Sequence, residues 1–289
     1  MKKRSPKVRI ATLAGGVGAA RFIRGLVQRI PEQCLTVIVN TGDDEYFYGL
    51  HVSPDLDTVT YTLAGVVNRA NGWGRANESF HALEALGRFY GEPWFNLGDR
   101  DLATHLYRTE LLRSGASLTQ VTAEIAQRLG VKARVLPMTN DRVHTHVKIK
   151  GKPALPFQEY FVKGRARGAV EAIELRGIEQ AQPAQGVLDA LTRSTGVILA
   201  PSNPFVSLGP ILGLNGIRES LKSMRRHVAA ISPIVGGKAV RGPAGAMMRG
   251  LGQEVSPLGV ARLYQDVAGI FILDTLDRRY AEAIQQLGM

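Results

Sequence analysis

The sequence predicts an α/β fold: a Rossmann-like parallel sheet core carrying an inserted helical subdomain and a small antiparallel annex. Three observations lead there. Short, nearly continuous apolar runs alternate with helical patterns toward both ends of the chain. Residues 57–129 read as helix alone. The residues just after them alternate apolar with polar. Unbroken apolar runs are how strands read when helices cover both faces of a sheet, whereas alternation marks a strand with one wet face.

The first two candidate strands are residues 8–13 and 35–39, with a helical stretch over 19–30 between them. Helices are expected over 57–67, 78–90, 102–112 and 118–129. The last opens on Ser117-Leu-Thr-Gln120, the spacing of a capping box. In 143–150, Val143, Thr145, Val147 and Ile149 share one face, and 157–162 and 170–175 follow as short strands. The core resumes with strands over 197–200, 227–231 and 269–273 and helices over 217–226 and 260–266. Strand alternating with helix means βαβ units and a parallel sheet. Residues 1–56 and 180–289 are therefore assigned to the core and 57–179 to the insertion, with 180–185 as the returning loop.

Composition narrows the class. The 289 residues are 45% hydrophobic and 21% charged, as in globular proteins. The single cysteine, Cys34, cannot form an internal disulfide; beside an apolar run it is expected to be a small buried residue, and a reducing cytoplasm fits. No apolar run approaches the ~18 residues that span a bilayer, and the basic N-terminus lacks the apolar region of a signal peptide, so it reads as a frayed tail and no membrane partner is expected. Net charge is +11, from 36 basic and 25 acidic residues. Lys2, Lys3, Arg4, Lys7 and Arg9 supply five of those charges and the rest is spread out. Nucleic-acid binders concentrate charge among aromatics, and aromatics here are only 7%. A basic enzyme with anionic small-molecule ligands accounts for the charge, and no nucleic acid is expected.

Ligand chemistry concentrates in loops at strand ends. Gly15, Gly16, Val17 and Gly18 follow the first strand and open a helix, with Arg21 placed in its first turn. Glycines let the backbone approach a phosphate, and a helix N-terminus presents free N–H groups and a positive dipole end. A dinucleotide fingerprint needs a third glycine where Arg21 stands, and a P-loop needs Gly-Lys-Ser/Thr, so neither motif is met. Aspartates follow in three turns: Asp43 and Asp44 after the second strand, Asp55 and Asp57 after Pro54, and Asp99 and Asp101 around Arg100. A carboxylate at a helix start also serves as a cap, but three acidic turns within 60 residues beside a phosphate loop suggest hard oxygen ligands for Mg²⁺ on a diphosphate. His144 and His146 share a strand face and are expected to face solvent. Ser202, Asn203 and Pro204 follow the strand at 197–200, at the sheet edge where ligands of parallel sheets bind. Further turns at 232–237 and 242–245 lie on the same edge.

Taken in order, the strings Ala14-Gly-Gly-Val-Gly18, Asn40-Thr-Gly-Asp-Asp44, Ser53-Pro-Asp-Leu-Asp-Thr58, Leu97-Gly-Asp-Arg-Asp101, Ala103-Thr-His105, Ala200-Pro-Ser-Asn-Pro204, Ser232-Pro-Ile-Val-Gly236 and Gly242-Pro-Ala-Gly245 resemble the 2-phospho-L-lactate transferase family of coenzyme F-420 biosynthesis. The resemblance spans roughly residues 8–274. It implies a donor in which guanosine diphosphate carries lactate, enolpyruvate or glycerate. The acceptor is the deazaflavin Fo, GMP leaves, Mg²⁺ is the cofactor, and the enzyme is a homodimer. It implies nucleotide contacts at Gly15, Gly16, Val17, Gly18, Arg21, Ser202, Asn203 and Pro204. Acceptor contacts fall at Asp57, Asp99, Arg100, Thr104 and His105, with Asp57 and Arg100 catalytic and the insertion forming the acceptor side. Metal candidates are Asp43, Asp44 and Asp57. Asp57 is open between a metal role and accepting the acceptor's proton; the resemblance favours acceptor contact. Tyr46, Phe47, Trp73 and Trp94 either stack on the flat deazaflavin or simply pack. Against this stands a related family that binds nucleotide sugars as a regulator without transferase chemistry, and, more remotely, a nicotinamide oxidoreductase.

Overall fold

A computed structural model describes residues 8–289; the charges at Lys2, Lys3, Arg4 and Lys7 lie outside the described residues. The chain opens with β1 (Ile10–Ala14), α1 (Gly16–Leu26) and β2 (Leu35–Val39). A hairpin of β3 (Glu45–Phe47) and β4 (Leu50–Val52) leads to α2 (Pro54–Leu63), α3 (His81–Tyr90), α4 (Asp99–Arg113) and α5 (Leu118–Arg128). β5 (Arg134–Pro137), β6 (His144–Ile149), β7 (Leu155–Pro156) and β8 (Val170–Arg176) follow. The chain then runs through α6 (Val187–Thr192), β9 (Gly196–Leu199), α7 (Leu208–Gly213), α8 (Ile217–Ser223) and β10 (Val228–Ile231). After the short hairpin of β11 (Ile234–Val235) and β12 (Lys238–Ala239) come α9 (Ala244–Gly250), α10 (Pro257–Tyr264), β13 (Ile270–Ile272) and α11 (Ala281–Gln286).

Six strands form one sheet in the order β13-β10-β9-β1-β2-β5, and every pairing is parallel. Numbered along the chain, these are strands 6-5-4-1-2-3, the doubly wound order with its topological switch between β1 and β9. The expected α/β class and parallel core are thus present. β1 shows why its sequence is apolar at four of five positions. Ala11 and Leu13 pack into a cluster with Leu199, Leu191 and Tyr264 on one face, while Ala14 packs with Ala19, Ile23 and Val59 on the other. Both faces are dry, so both carry apolar side chains, with the fully buried Thr12 the one polar residue of the strand.

The structure corrects several local expectations. β5 lies inside 57–179, yet it pairs with β2, so the sheet has a strand within the stretch assigned to the insertion. The strand expected over 157–162 is instead a π-helical turn at Glu159–Lys163. Phe157 and Tyr160 are buried there, three residues apart, which is a helical spacing. Cys34 is half-buried in a short 3-10 turn rather than in the core.

The antiparallel annex is present as β7-β6-β8. Val143, Thr145, Val147 and Ile149 are its buried face, with His144 and His146 partly exposed on the other. Ser117 and Gln120 make the expected capping box. No helix among the described residues is long and apolar enough to cross a membrane.

Candidate functional site

The switch point brings the two predicted nucleotide loops together. Ala14 and Leu199 end adjacent strands, so the loops that follow them meet. Gly15 N donates to Ser202 Oγ at 3.4 Å. A Cβ on Gly18 would stand 2.5 Å from the Pro201 carbonyl oxygen, and one on Gly15 would stand 2.7 Å from Ser207 Cβ. The glycines are there because two backbones and Ser207 close on each other. Gly18→Ala is therefore expected to push the 201–207 loop away. Nucleotide affinity should fall at least tenfold with the sheet intact, measured by titration calorimetry alongside circular dichroism.

Three details differ from expectation. The α1 N-terminus does not keep all its N–H groups free, because Gly16 donates to the Asp55 carboxylate. Arg21 lies in the second turn of α1, exposed, next to the backbone of Gly72. Val17 also packs against Gly72, whose φ is +80° and where a Cβ would stand 2.5 Å from Val17 Cγ1, so there is no space for a side chain. Asn203 is committed to its own loop, accepting from Phe205 N at 2.9 Å and donating to Met247 Sδ at 3.2 Å. Pro204 is buried beside it.

Next to these loops lies a pocket of buried acid. Asp43, Asp44, Asp55, Asp57 and Asp101 are all at most 9% exposed. Asn40, at the end of β2, donates to Asp55 Oδ2 at 2.9 Å and to the Val206 carbonyl at 3.2 Å, tying the acidic turn to the 201–207 loop. Ser53 donates to Asp44 Oδ2 at 2.7 Å. Burial drives the Asp43 carboxyl well above the usual carboxylate range, and the Asp55 and Asp44 charges push it further. Burial does the same for Asp44, against the Ser53 hydrogen bond. It lifts Asp55 to about 6 despite bonds from Asn40 and Gly16. Asp43 Oδ1 and Asp44 Oδ1 have no hydrogen-bond partner. Buried, orphaned, oxygen-only donors suit a hard divalent cation, so these residues fit the Mg²⁺ that the sequence suggests.

The acceptor-side candidates divide in two. α4 carries Asp101, Thr104, His105 and Arg108 on one buried face. Arg108, which the sequence reading missed, grips Asp57 with both Nη atoms. His105 stands 3.7 Å from Asp57 Oδ2 and 3.3 Å from Asp101 Oδ2, and Tyr61 donates to Asp101 Oδ1 at 2.6 Å. Burial opposes the Arg108 charge, but Asp57 beside it raises the guanidinium pKa and keeps it cationic. Burial lowers His51 to about 4, helped by the positive Arg108. The signal for Arg108 was available: polar residues recur at 101, 105 and 108, one helical stripe, in a segment too polar to bury anything else there.

Asp99 and Arg100 sit apart from that stripe. Asp99 accepts from Ser79 Oγ at 2.6 Å, His81 N at 3.1 Å and Ala82 N at 3.0 Å, capping α3. Glu78, just before α3, in turn accepts from Arg100 N and Asp101 N, each at 2.8 Å, capping α4. The Arg100 side chain is exposed, with Nη1 3.3 Å from the Ala76 carbonyl. Asp99→Asn is expected to lower Tm by about 2–4 °C through loss of charged capping. If Asp99 only caps, acceptor KM stays unchanged; a rise in KM would instead mark direct acceptor contact. Of the aromatics, Phe47 stacks on Phe95 at 4.1 Å and meets Trp94 edge-on, which is packing. Tyr46 and Trp73 are 52% and 41% exposed.

Comparison with known proteins now bears on this geometry. The chain is 44% identical over 287 residues to a phosphoenolpyruvate transferase from Streptomyces coelicolor, covering 98% of this chain and 90% of that one. It is 39% identical over 275 residues to a 2-phospho-L-lactate transferase from Methanosarcina mazei, covering 95% and 90%. A crystal structure of a UPF0052 family member from Bacillus halodurans superposes with a TM-score of 0.60 at 18% identity, over 96% of this chain and 86% of that chain; the likeness is one of fold. The profile of 2-phospho-L-lactate transferase CofD matches residues 10–285, from the first residue of β1 to the last turn of α11, and the chain belongs to that transferase family.

Proposed function

We propose that this protein transfers a phospho-acid from a guanosine diphosphate donor to the ribityl hydroxyl of the deazaflavin Fo, releasing GMP, in coenzyme F-420 biosynthesis. The observation that carries the reading is the junction at the switch point. A glycine loop meets a Ser-Asn-Pro loop, and buried carboxylates with free oxygens stand directly beside them. Gly15 to Gly18 and Ser202 to Pro204 hold the nucleotide. Asp43 and Asp44 hold Mg²⁺, which supplies neutralisation of the diphosphate charge. Asp57 faces the acceptor, because its two oxygens are already gripped by Arg108 while Asp43 and Asp44 each keep one free. It orients the attacking hydroxyl and accepts its proton. Thr104 and His105 line the acceptor side behind Asp57, and Arg100 stands at its rim. Phosphoryl-type transfer needs little more than this positioning and charge neutralisation.

The relatives' names favour phosphoenolpyruvate as the acid, since the proteins named for it are 41–45% identical and those named for 2-phospholactate 39–40%. The test is a mass-spectrometric assay with protein, Mg²⁺, Fo and guanosine diphosphate donors bearing enolpyruvate, lactate or glycerate. A deazaflavin phosphodiester together with GMP is expected, fastest from the enolpyruvate donor. No product from any donor would favour a nucleotide-binding regulator.

A further inference from the structure

We propose that Arg108 is a positioning residue that fixes the orientation of Asp57, and that Tyr61, Asp101 and His105 brace the pair from behind. The proposal rests on the reading of Asp57 as the group that meets the acceptor hydroxyl. Arg108 is 2% exposed. Its Nη2 bonds Asp57 Oδ1, and its Nη1 lies 3.1 Å from Asp57 Oδ2. A two-pronged guanidinium grip fixes the plane and the rotation of a carboxylate, which a single-point ammonium cannot do. Each Asp57 oxygen keeps a second lone pair for another donor.

The brace follows from hydrogen-bond direction. Arg108 Nη1 is also 3.2 Å from His105 Nδ1. Arginine only donates, so Nδ1 is the acceptor and the ring proton sits on Nε2. Nε2 stands 3.3 Å from Asp101 Oδ2, close enough for charge attraction but without hydrogen-bond alignment, and Asp101 Oδ1 is held by Tyr61 at 2.6 Å. His105 therefore cannot turn without losing the Arg108 contact at Nδ1 and the approach of Nε2 to the Asp101 carboxylate. Asp101, His105 and Arg108 all stand on α4, and Asp57 and Tyr61 both stand on α2, so the array fixes two helices and one carboxylate together.

The cluster of Asp57, Asp101 and His105 has ligand atoms within 4.8 Å of one another. The guanidinium already takes the cation's place at both Asp57 oxygens. The site thus has one built-in cation at Asp57, while Asp43 and Asp44 present the free oxygens.

A double-mutant cycle on the full-length protein tests this, read as kcat and KM for Fo and the donor. Arg108→Lys keeps the charge and loses the fork. It is expected to lower kcat about 100-fold, with donor KM within about twofold, and to add no further loss in an Asp57→Asn background. Equal losses in both backgrounds, or wild-type kcat, would overturn the proposal while leaving the Asp57 reading intact. Full turnover by Asp57→Asn alone would instead overturn the reading beneath it. If Arg108→Lys fails to fold, Tyr61→Phe serves in the same cycle, removing one hydroxyl at constant shape. It is expected to lower kcat about tenfold; an unchanged kcat, or a loss that persists in the Asp57→Asn background, would overturn the brace.

Discussion

Asp43→Asn is expected to raise the melting temperature of the metal-free protein above pH 7 while lowering turnover by about 10²–10³. The two effects have one cause. Asp43 is a buried carboxylate repelled by Asp55 and Asp44, with an oxygen that no protein group satisfies. Such an arrangement costs stability and persists where function requires it. An amide in the same volume removes the repulsion and removes a hard ligand. Differential scanning fluorimetry with and without Mg²⁺, beside the mass-spectrometric assay, reads both sides. A variant that melts lower and keeps its Mg²⁺ response would show that Asp43 is structural instead.

The second expectation concerns pH. A carboxyl whose folded pKa lies above its unfolded value, near 4, stabilises the fold while protonated and loses that contribution as pH rises through the folded pKa. Asp43, Asp44 and Asp55 all follow this sign, with Asp55 at about 6. His51 runs the other way. Its folded pKa of about 4 contributes stability above the unfolded value near 6.5, lost as pH falls. Between about pH 4 and 6.5, Asp55 and His51 therefore largely offset one another. Above 6.5 His51 is neutral in both states and no longer offsets the loss of stability that accompanies ionisation of Asp43 and Asp44 in the metal-free protein. Mg²⁺ should reverse that loss, with a thermal shift that grows as pH rises, because ligands must be deprotonated to bind. A Mg²⁺ shift independent of pH would place the cation elsewhere.

Much of this was legible in the residues. Five of the six sheet strands are short apolar runs bounded by small or polar residues, and such runs announce themselves. β5 did not, because Arg134-Val-Leu-Pro137 is short and closes on a proline, so it passes for a loop after α5. The meeting of the glycine loop with the Ser-Asn-Pro loop was legible because glycine and proline cluster at strand ends in turns that face one sheet edge. The acidic turns were legible as a group, but their division of labour was not. Asp99 caps a helix, Asp57 is held by Arg108, and Asp43 and Asp44 keep free oxygens; these differ only in what stands nearby in space. Arg108 lies 51 residues from Asp57, and no local pattern links them.

The position of β5 has an architectural consequence. The chain leaves the sheet at β2 and re-enters at β5, and these two strands are hydrogen-bonded neighbours. Everything between them, including α2, α3 and α4, is an excursion that begins and ends at nearly the same place. An excursion of that kind can be lengthened or shortened without re-threading the strands that hold the glycine loop and the Ser-Asn-Pro loop. α2 is the exception, because its Leu56 and Val59 cover the sheet and its Asp55 is bonded to Asn40; the stretch free to vary is the one from α3 to α4, which brings Arg108 to Asp57 while the strand order stays the same.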